Sequence, residues 1–205
     1  MAVQLSETYS IYQWVSGNRY LGLEEMQNNA IIIHKVLSEK GWSLNAIAGV
    51  LGNMQTESTI NPGIWQGLTE GSGGGGGYGL VQWTPWTNFT DWADTNGYEW
   101  DDGEAQLEWI DSVTTSVGQW IQTDSYPVTF SDFKVSTETP EYLAYVFLYN
   151  FERPANLDNP NRQTQARYWY DYLSGETTEP EPVPITKKKK MPVWMMCNTK
   201  PIRMR

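Results

Sequence analysis

The fold is decided by the stretch Gly52-Asn53-Met54-Gln55-Thr56-Glu57-Ser58-Thr59-Ile60-Asn61-Pro62. The residues leading into it place apolar side chains three or four positions apart, which predicts an amphipathic helix with Ser43 as its N-cap. Glu57 then falls at the edge of the apolar face, in the last turn of that helix. Partial burial and the negative end of the helix dipole both favour a protonated carboxyl there. Glu57 is therefore predicted to be a general acid.

A second segment, Tyr78-Gly79-Leu80-Val81-Gln82-Trp83-Thr84-Pro85, lies about twenty residues later. Residues 64–68 and 77–83 are predicted to pair as a small β-hairpin across the glycine-rich run 71–77. That run lacks the Gly-Lys-Ser/Thr of a phosphate-binding loop, so a nucleotide site is not expected. It is either a flexible surface loop or a mobile flap over a cleft.

Helical periodicity and capping signals account for most of the remaining chain. The predicted helices are residues 24–40, a helix with Thr84 as its N-cap that Pro85 opens and Gly97 closes, residues 104–117, residues 140–151 with Thr139 as N-cap, and residues 162–173. The fold class predicted is α+β, mostly α, with the hairpin beside the helix that carries Glu57.

This order of elements resembles the lysozyme-like fold that lytic transglycosylases and goose-type lysozymes share. Over about residues 18–175 the chain looks like the phage tail lysozyme family, wall-degrading tail-tip proteins of short-tailed phages with Gram-positive hosts. The resemblance is carried by Leu51–Gln55, Glu57–Gly63, Leu80–Pro85 and Glu152–Asn156. It implies that Glu57 is the catalytic glutamate, Gln82 the cleft glutamine, and peptidoglycan the substrate.

The other candidate site residues are chosen from the chemistry of glycan cleavage. Some glycosidases need a second carboxylate, and Glu70 at the mouth of the hairpin is the first candidate. A transglycosylase can instead work with one glutamate and groups of the substrate. The side chains proposed to bind or orient the sugars are Gln82, Thr84, Tyr78, Trp83, Trp65, Tyr149 and Asn150, the last two standing where transglycosylases carry Ala-Tyr-Asn.

Two rival functions use different features of the sequence. A catalytically inactive wall-binding or structural tail-tip subunit would use the same cleft without proton transfer. A peptidase would need several zinc ligands or a Cys-His pair, and the chain has one histidine, His34, and one cysteine, Cys197. No metal site and no cofactor are therefore predicted.

Charge divides the 205-residue chain into parts. The first 186 residues contain all 24 acidic residues and only seven of the 14 Lys and Arg, a net charge of −17, whereas residues 187–205 carry +7. Such an acidic body is not attracted to nucleic acid or to an anionic wall. Neither a membrane span nor a secretory signal is evident, so we expect the protein to be carried to the wall on the virion, at the tail tip.

The predicted organisation has four parts: an N-terminal extension (1–20), the lysozyme-like domain (21–175), an acidic proline-rich linker (176–186) and a basic, partly apolar tail (187–205). The tail is either a solvated, disordered segment or an anchor in which Lys187 to Arg205 bind another tail protein. Trp194 and the neighbouring methionines would then be the buried contact.

Overall fold

A computed structural model describes residues 13–71, 75–154 and 159–175 of the protein. These ranges are mostly helical and contain α1 (Leu23–Glu39), α2 (Leu44–Ser58), α3 (Thr87–Asn96), α4 (Gly103–Glu108), α5 (Phe130–Val135), α6 (Pro140–Phe147) and α7 (Asn161–Ser174). The helices α4 and α6 each continue into a π-helical turn, Trp109–Val113 and Leu148–Glu152 respectively. The predicted linker and basic tail, and residues 1–12 of the extension, lie outside the described residues.

The central element is α2, which packs against α7, α6 and α1. Its residues from Ala46 to Met54 are all buried, so a side chain on any face of this helix meets protein. The predicted cap is confirmed, because the Ser43 hydroxyl accepts a hydrogen bond of 3.1 Å from the Ala46 amide. The helix ends where Thr59 and Ile60 adopt left-handed backbone conformations, with φ of 54° and 56°.

The structure does not show the predicted β-hairpin. Trp65 and Trp83 each form only a single antiparallel bridge with Tyr78. The reason is local: Gln66–Leu68 forms a 3₁₀ turn, and Leu68 and Gln82 have positive φ values of 59° and 49°, which no extended strand contains. The segment beside α2 is therefore a set of turns rather than a two-stranded sheet.

Other predicted boundaries differ in smaller ways. Thr84 was predicted to cap the third helix, and this is wrong: α3 begins at Thr87, and the Thr84 hydroxyl donates to the Gln82 carbonyl instead. The caps Thr139 and Gly97 are confirmed. The short helix α5 was not predicted, although Thr129 caps it through the Asp132 amide.

Residues 13–20 pack on the helical domain. The Asn61 side chain donates to the carbonyls of Gly17 and Arg19, at 2.7 and 2.6 Å, and the Asn29 carboxamide bonds both backbone groups of Val15. Residues 13–20 of the predicted extension therefore belong structurally to the domain. Among the helices that the structure describes, none is long and apolar enough to cross a membrane.

The contact between α2 and α7 is closest at Gly52. A Cβ atom there would overlap the Arg162 carbonyl and the Ala166 amide, both backbone groups that cannot rotate away. Overpacking of this kind destabilises a core.

We therefore expect Gly52→Ala to lower the free energy of unfolding by about 1–3 kcal/mol, measured by urea denaturation. Gly75→Ala is the matched control, because a Cβ at Gly75 meets no atom within 4 Å. Equal stability of the Gly52 and Gly75 variants would show that the two helices can separate without loss.

Candidate active site

Glu57 lies in a cleft formed by two adjoining cavities of about 250 and 210 Å³. Both cavities are lined by Glu57, Gln82 and Thr84. The larger extends towards Phe151, Glu152 and Pro154, and the smaller towards Tyr20, Ile64 and Gly67. Among the titratable side chains in these linings, Glu57 is the one common to both, so a chain-like ligand that occupied the cleft would pass over its carboxyl.

The end of α2 is fastened to the loop that carries Gln82. The Ser58 hydroxyl donates to the Leu80 carbonyl at 2.8 Å, and the Leu80 amide donates to the Gln106 side chain at the same distance. Gln106 in turn donates to the Pro62 carbonyl at 2.7 Å. These bonds are buried, which makes them costly to break and holds the Glu57 turn against the loop.

Arg162, at the start of α7, forms an ion pair with Glu57. Its guanidinium also donates to the Asn53 carboxamide oxygen at 2.8 Å. The Arg162 side chain is only 5% exposed, whereas that of Glu57 is 22% exposed and reaches the cleft. The sequence analysis did not include this cation among the site residues.

Glu152 is a second carboxyl at this cleft, and it was not among the predicted site residues. It ends the π-helical turn Leu148–Glu152 and lines the larger cavity together with Glu57. Its Oε1 atom is buried without a hydrogen-bond partner in the described structure. Burial raises the pKa of Glu152 well above its ordinary value, and the nearby negative charge of Glu57 raises it further.

Two cations, Arg162 and Arg153, lie near Glu152 and oppose the upward shift of its pKa. Arg162 supplies one buried positive charge, and it is in direct contact with Glu57. Burial nevertheless outweighs both cations, because a charged carboxylate is costly to remove from water. The two carboxyls therefore lie in different environments: Glu57 contacts the Arg162 guanidinium, whereas Glu152 is buried and its pKa is held well above the ordinary value.

Besides Glu57, four predicted residues line the cleft: Gln82, Thr84, Trp83 and Trp65. The amide nitrogen of Gln82 donates to the carbonyls of Ile64 and Gly79, at 3.2 and 3.0 Å, so only its side-chain oxygen remains to accept from a ligand. Thr84 is exposed. Trp83 presents little more than an edge, because it is 3% exposed and stacks on Phe89 with ring centroids 4.7 Å apart.

The structure does not bring the remaining predicted residues together with Glu57. Glu70 and Tyr78 line a separate groove, and Trp65 lines both that groove and the smaller cavity of the cleft. Asn150 is buried and uses its carboxamide to bond Thr123 and the Tyr126 carbonyl. Tyr149 packs on Tyr126, with ring centroids 4.8 Å apart.

This arrangement, a carboxyl at the end of a buried helix facing a loop with a glutamine, defines a lysozyme-like protein. The chain belongs to the phage tail lysozyme family, whose model matches residues 28–173. It is also 49% identical over 161 residues to morphogenesis protein 1 of Bacillus phage B103. The aligned part covers 78% of this chain but only 43% of that relative, so the chain spans less than half of the relative's length.

The raised pKa of Glu152 predicts a pH-dependent stability. The unfolded chain ionises this carboxyl near its ordinary pKa of 4.5, while the folded protein keeps it protonated to higher pH. The contribution of Glu152 to the free energy of unfolding is therefore complete below pH 4.5. It is lost as the pH rises towards the pKa of Glu152 in the folded protein, with a slope of up to about 1.4 kcal/mol per pH unit.

Glu152→Gln removes this titration, so its stability relative to the wild type should increase steadily from pH 4.5 upwards in urea denaturation. Glu39→Gln, an exposed carboxyl at the end of α1, is the control and should follow the wild type. If the difference between Glu152→Gln and the wild type stayed constant with pH, the raised pKa of Glu152 would be refuted.

Proposed function

We propose that this protein cleaves the glycan strands of peptidoglycan, and that the pair Glu57 and Glu152 supplies the proton. The single observation that carries the proposal is the presence of two carboxyls and one buried guanidinium at one cleft. Membership of the phage tail lysozyme family supports the substrate class.

Glu57 is the donor in this proposal because it lines both cavities, whereas Glu152 lines one and has a buried oxygen. When a glycan strand fills the cleft, the exposed part of Glu57 loses its water, which disfavours its charged form. In this proposal the proton of Glu152 then passes to Glu57. Glu152 is thus a positioning residue that acts through Glu57.

Over one catalytic cycle the carboxyl pair gives up one proton and recovers one. Glu57 gives its proton to the glycosidic oxygen as the bond from that oxygen to the anomeric carbon breaks. The pair is then doubly ionised, which makes it a strong base. It takes the proton from the hydroxyl that attacks the anomeric carbon. Attack by water produces a reducing end, whereas attack by the 6-hydroxyl of the same sugar produces an anhydro end. Mass spectrometry of the products distinguishes hydrolase from transglycosylase, because only the former adds a water.

An inactive wall-binding or structural subunit is the alternative that the chain must be tested against. The name of the relative, morphogenesis protein 1, refers to assembly rather than to catalysis. What favours an enzyme is the buried, unpartnered carboxyl of Glu152. A purely binding surface has no use for such a group, which destabilises the fold wherever it is not compensated.

We also propose that the protein acts from the virion at the tail tip, outside the host cell, during entry through a Gram-positive wall. The family supports a phage tail location. The acidic domain gains nothing from long-range attraction to an anionic wall, so attachment to the particle would bring it there. Residues 187–205, with four consecutive lysines and Trp194, are the proposed attachment segment.

The carboxyl pair predicts a specific pattern of activities on purified cell walls. Glu57→Gln and Glu152→Gln should each lower the clearing rate at least about a hundredfold, and the double variant should be no worse than the poorer single one, since the pair acts as a unit. In Glu152→Gln the alkaline limb of the remaining activity should move to lower pH. Asp91→Asn, exposed on α3, is the control.

Two results would contradict this mechanism. Near wild-type clearing by folded Glu57→Gln would reject Glu57 as the donor. Losses from the two single variants that multiply in the double variant would show that the carboxyls act independently rather than sharing a proton.

The attachment proposal predicts that removing residues 187–205 leaves wall clearing in solution unchanged and takes the protein out of assembled virions. Trp194→Ala should reduce incorporation by itself, because a buried aromatic contact dominates such interfaces. Immunoblots of purified virions measure both effects. Normal incorporation of the truncated chain would move the docking surface to another part of the protein.

A further inference from the structure

Tyr20 is the most exposed aromatic side chain among the described residues, and it lies at one end of the cleft. Its exposed fraction is 61%, compared with 40% for Tyr98, the next highest. It lines the smaller cavity together with Glu57 and Gln82. It also precedes the residues that the family model matches. Proton transfer at Glu57 does not explain why an aromatic ring is left open to solvent at this position.

The backbone on both sides of Tyr20 is fixed to the end of α2. The preceding carbonyl accepts a hydrogen bond of 2.6 Å from the Asn61 side chain, and the following amide donates to the Thr59 hydroxyl at 2.9 Å. The next side chain, Leu21, is buried. Tyr20 therefore keeps a fixed position relative to Glu57 although its ring is open to solvent. A side chain presented in this way loses little conformational freedom when it binds a ligand.

The rest of this end of the cleft is neutral and can form hydrogen bonds. Apart from Glu57, no charged side chain is among the described residues that line the smaller cavity. Gln66 is exposed there, and its side-chain oxygen accepts from the Gly77 amide at 3.0 Å, so its N–H groups are left as donors. A neutral pyranose ring fits these groups. Its C–H bonds can face the negative face of an aromatic ring, while its hydroxyl and acetamido groups need hydrogen-bond partners.

We propose that the Tyr20 ring stacks on a sugar of the glycan strand, at a subsite next to the bond that Glu57 would cleave. This inference rests on the proposed function, because the ligand is the strand that is cleaved. Tyr20 takes no part in proton transfer, and its role is to hold the strand over Glu57. Residues 13–20 are therefore part of the substrate site as well as part of the folded domain.

The test measures binding and cleavage separately, so that failure of the sugar contact and failure of the proposed catalysis are distinguishable. Binding is measured by calorimetry in the Glu57→Gln background, with chitohexaose, a β-1,4-linked oligomer of N-acetylglucosamine, as the probe. The variants are Tyr20→Ala, without a ring, Tyr20→Leu, apolar without a flat face, and Tyr20→Trp, with a larger flat face. The matched control is Tyr142→Ala, which removes an exposed aromatic side chain on α6 that does not line the cleft.

Tyr20→Ala and Tyr20→Leu should each bind chitohexaose about tenfold more weakly than the parent, whereas Tyr20→Trp and Tyr142→Ala should bind at least as tightly. With Glu57 restored, Tyr20→Ala should raise KM for soluble glycan strands about tenfold and leave kcat within about twofold. The reason is that the contact is present in both the bound substrate and the transition state. The melting temperature of Tyr20→Ala should equal that of the parent, because the ring is exposed.

Three results would overturn the sugar contact. These are binding by Tyr20→Ala as tight as that of the parent, binding by Tyr20→Leu as tight as that of the parent, and a fall in kcat with an unchanged KM. The second would show that an apolar side chain without a flat face is enough, and the third would place Tyr20 in the chemical step. Cleavage of the strands by Glu57→Gln, together with weaker binding by the Tyr20 variants, would instead contradict the proposed catalysis and leave the sugar contact standing.

Discussion

The buried guanidinium of Arg162 is the constraint on which the rest of the site depends. A charge that is 5% exposed must be paired, and Asn53 and Glu57 on α2 provide its partners. The start of α7 can bring this charge to α2 only because Gly52 has no side chain at the crossing point. The close packing of α2 and α7 therefore also determines where the positive charge of Arg162 lies in the site. The neighbouring Glu152 has no hydrogen-bond partner for its buried Oε1 atom among the described residues, and burial holds its pKa well above the ordinary value.

The cleft and the adjoining groove differ in the forces they can apply. At the cleft, charge is balanced and water is restricted, so a proton can be held where a sugar oxygen would lie. At the groove, negative charge is left open to solvent and bordered by aromatic rings. Trp65 lies between the two regions and stacks at its edge against Trp86 and Trp100, with centroids 5.4 and 6.4 Å away. The aromatic residues of this segment therefore act mainly as a rigid partition.

The sequence predicted the elements whose signals are local. Ser43 and Thr139 as caps and the periodicity of α2 involve neighbours within a few residues, and the structure has them where they were expected. Glu152 and Arg162 were missed because their roles depend on burial and on side chains that are distant in the chain. The prediction of a β-hairpin was wrong for a related reason. Glycine and aromatic residues indicated strands, but the buried hydrogen bonds of Gln106 hold that segment in turns. Aromatic residues predicted to stack on sugars are largely core.

The π-helical turn Leu148–Glu152 has a consequence for how this site can be gained or lost. Such a turn contains one residue more than an α-helical turn, so the residues after it are rotated by about 100° relative to an unbroken helix. Glu152 owes its direction to that extra residue. A deletion of a single codon within the turn would leave every functional amino acid in the gene and still swing the acid away from the cleft. The number of residues in this turn, as well as their identity, must therefore be kept for Glu152 to face the cleft.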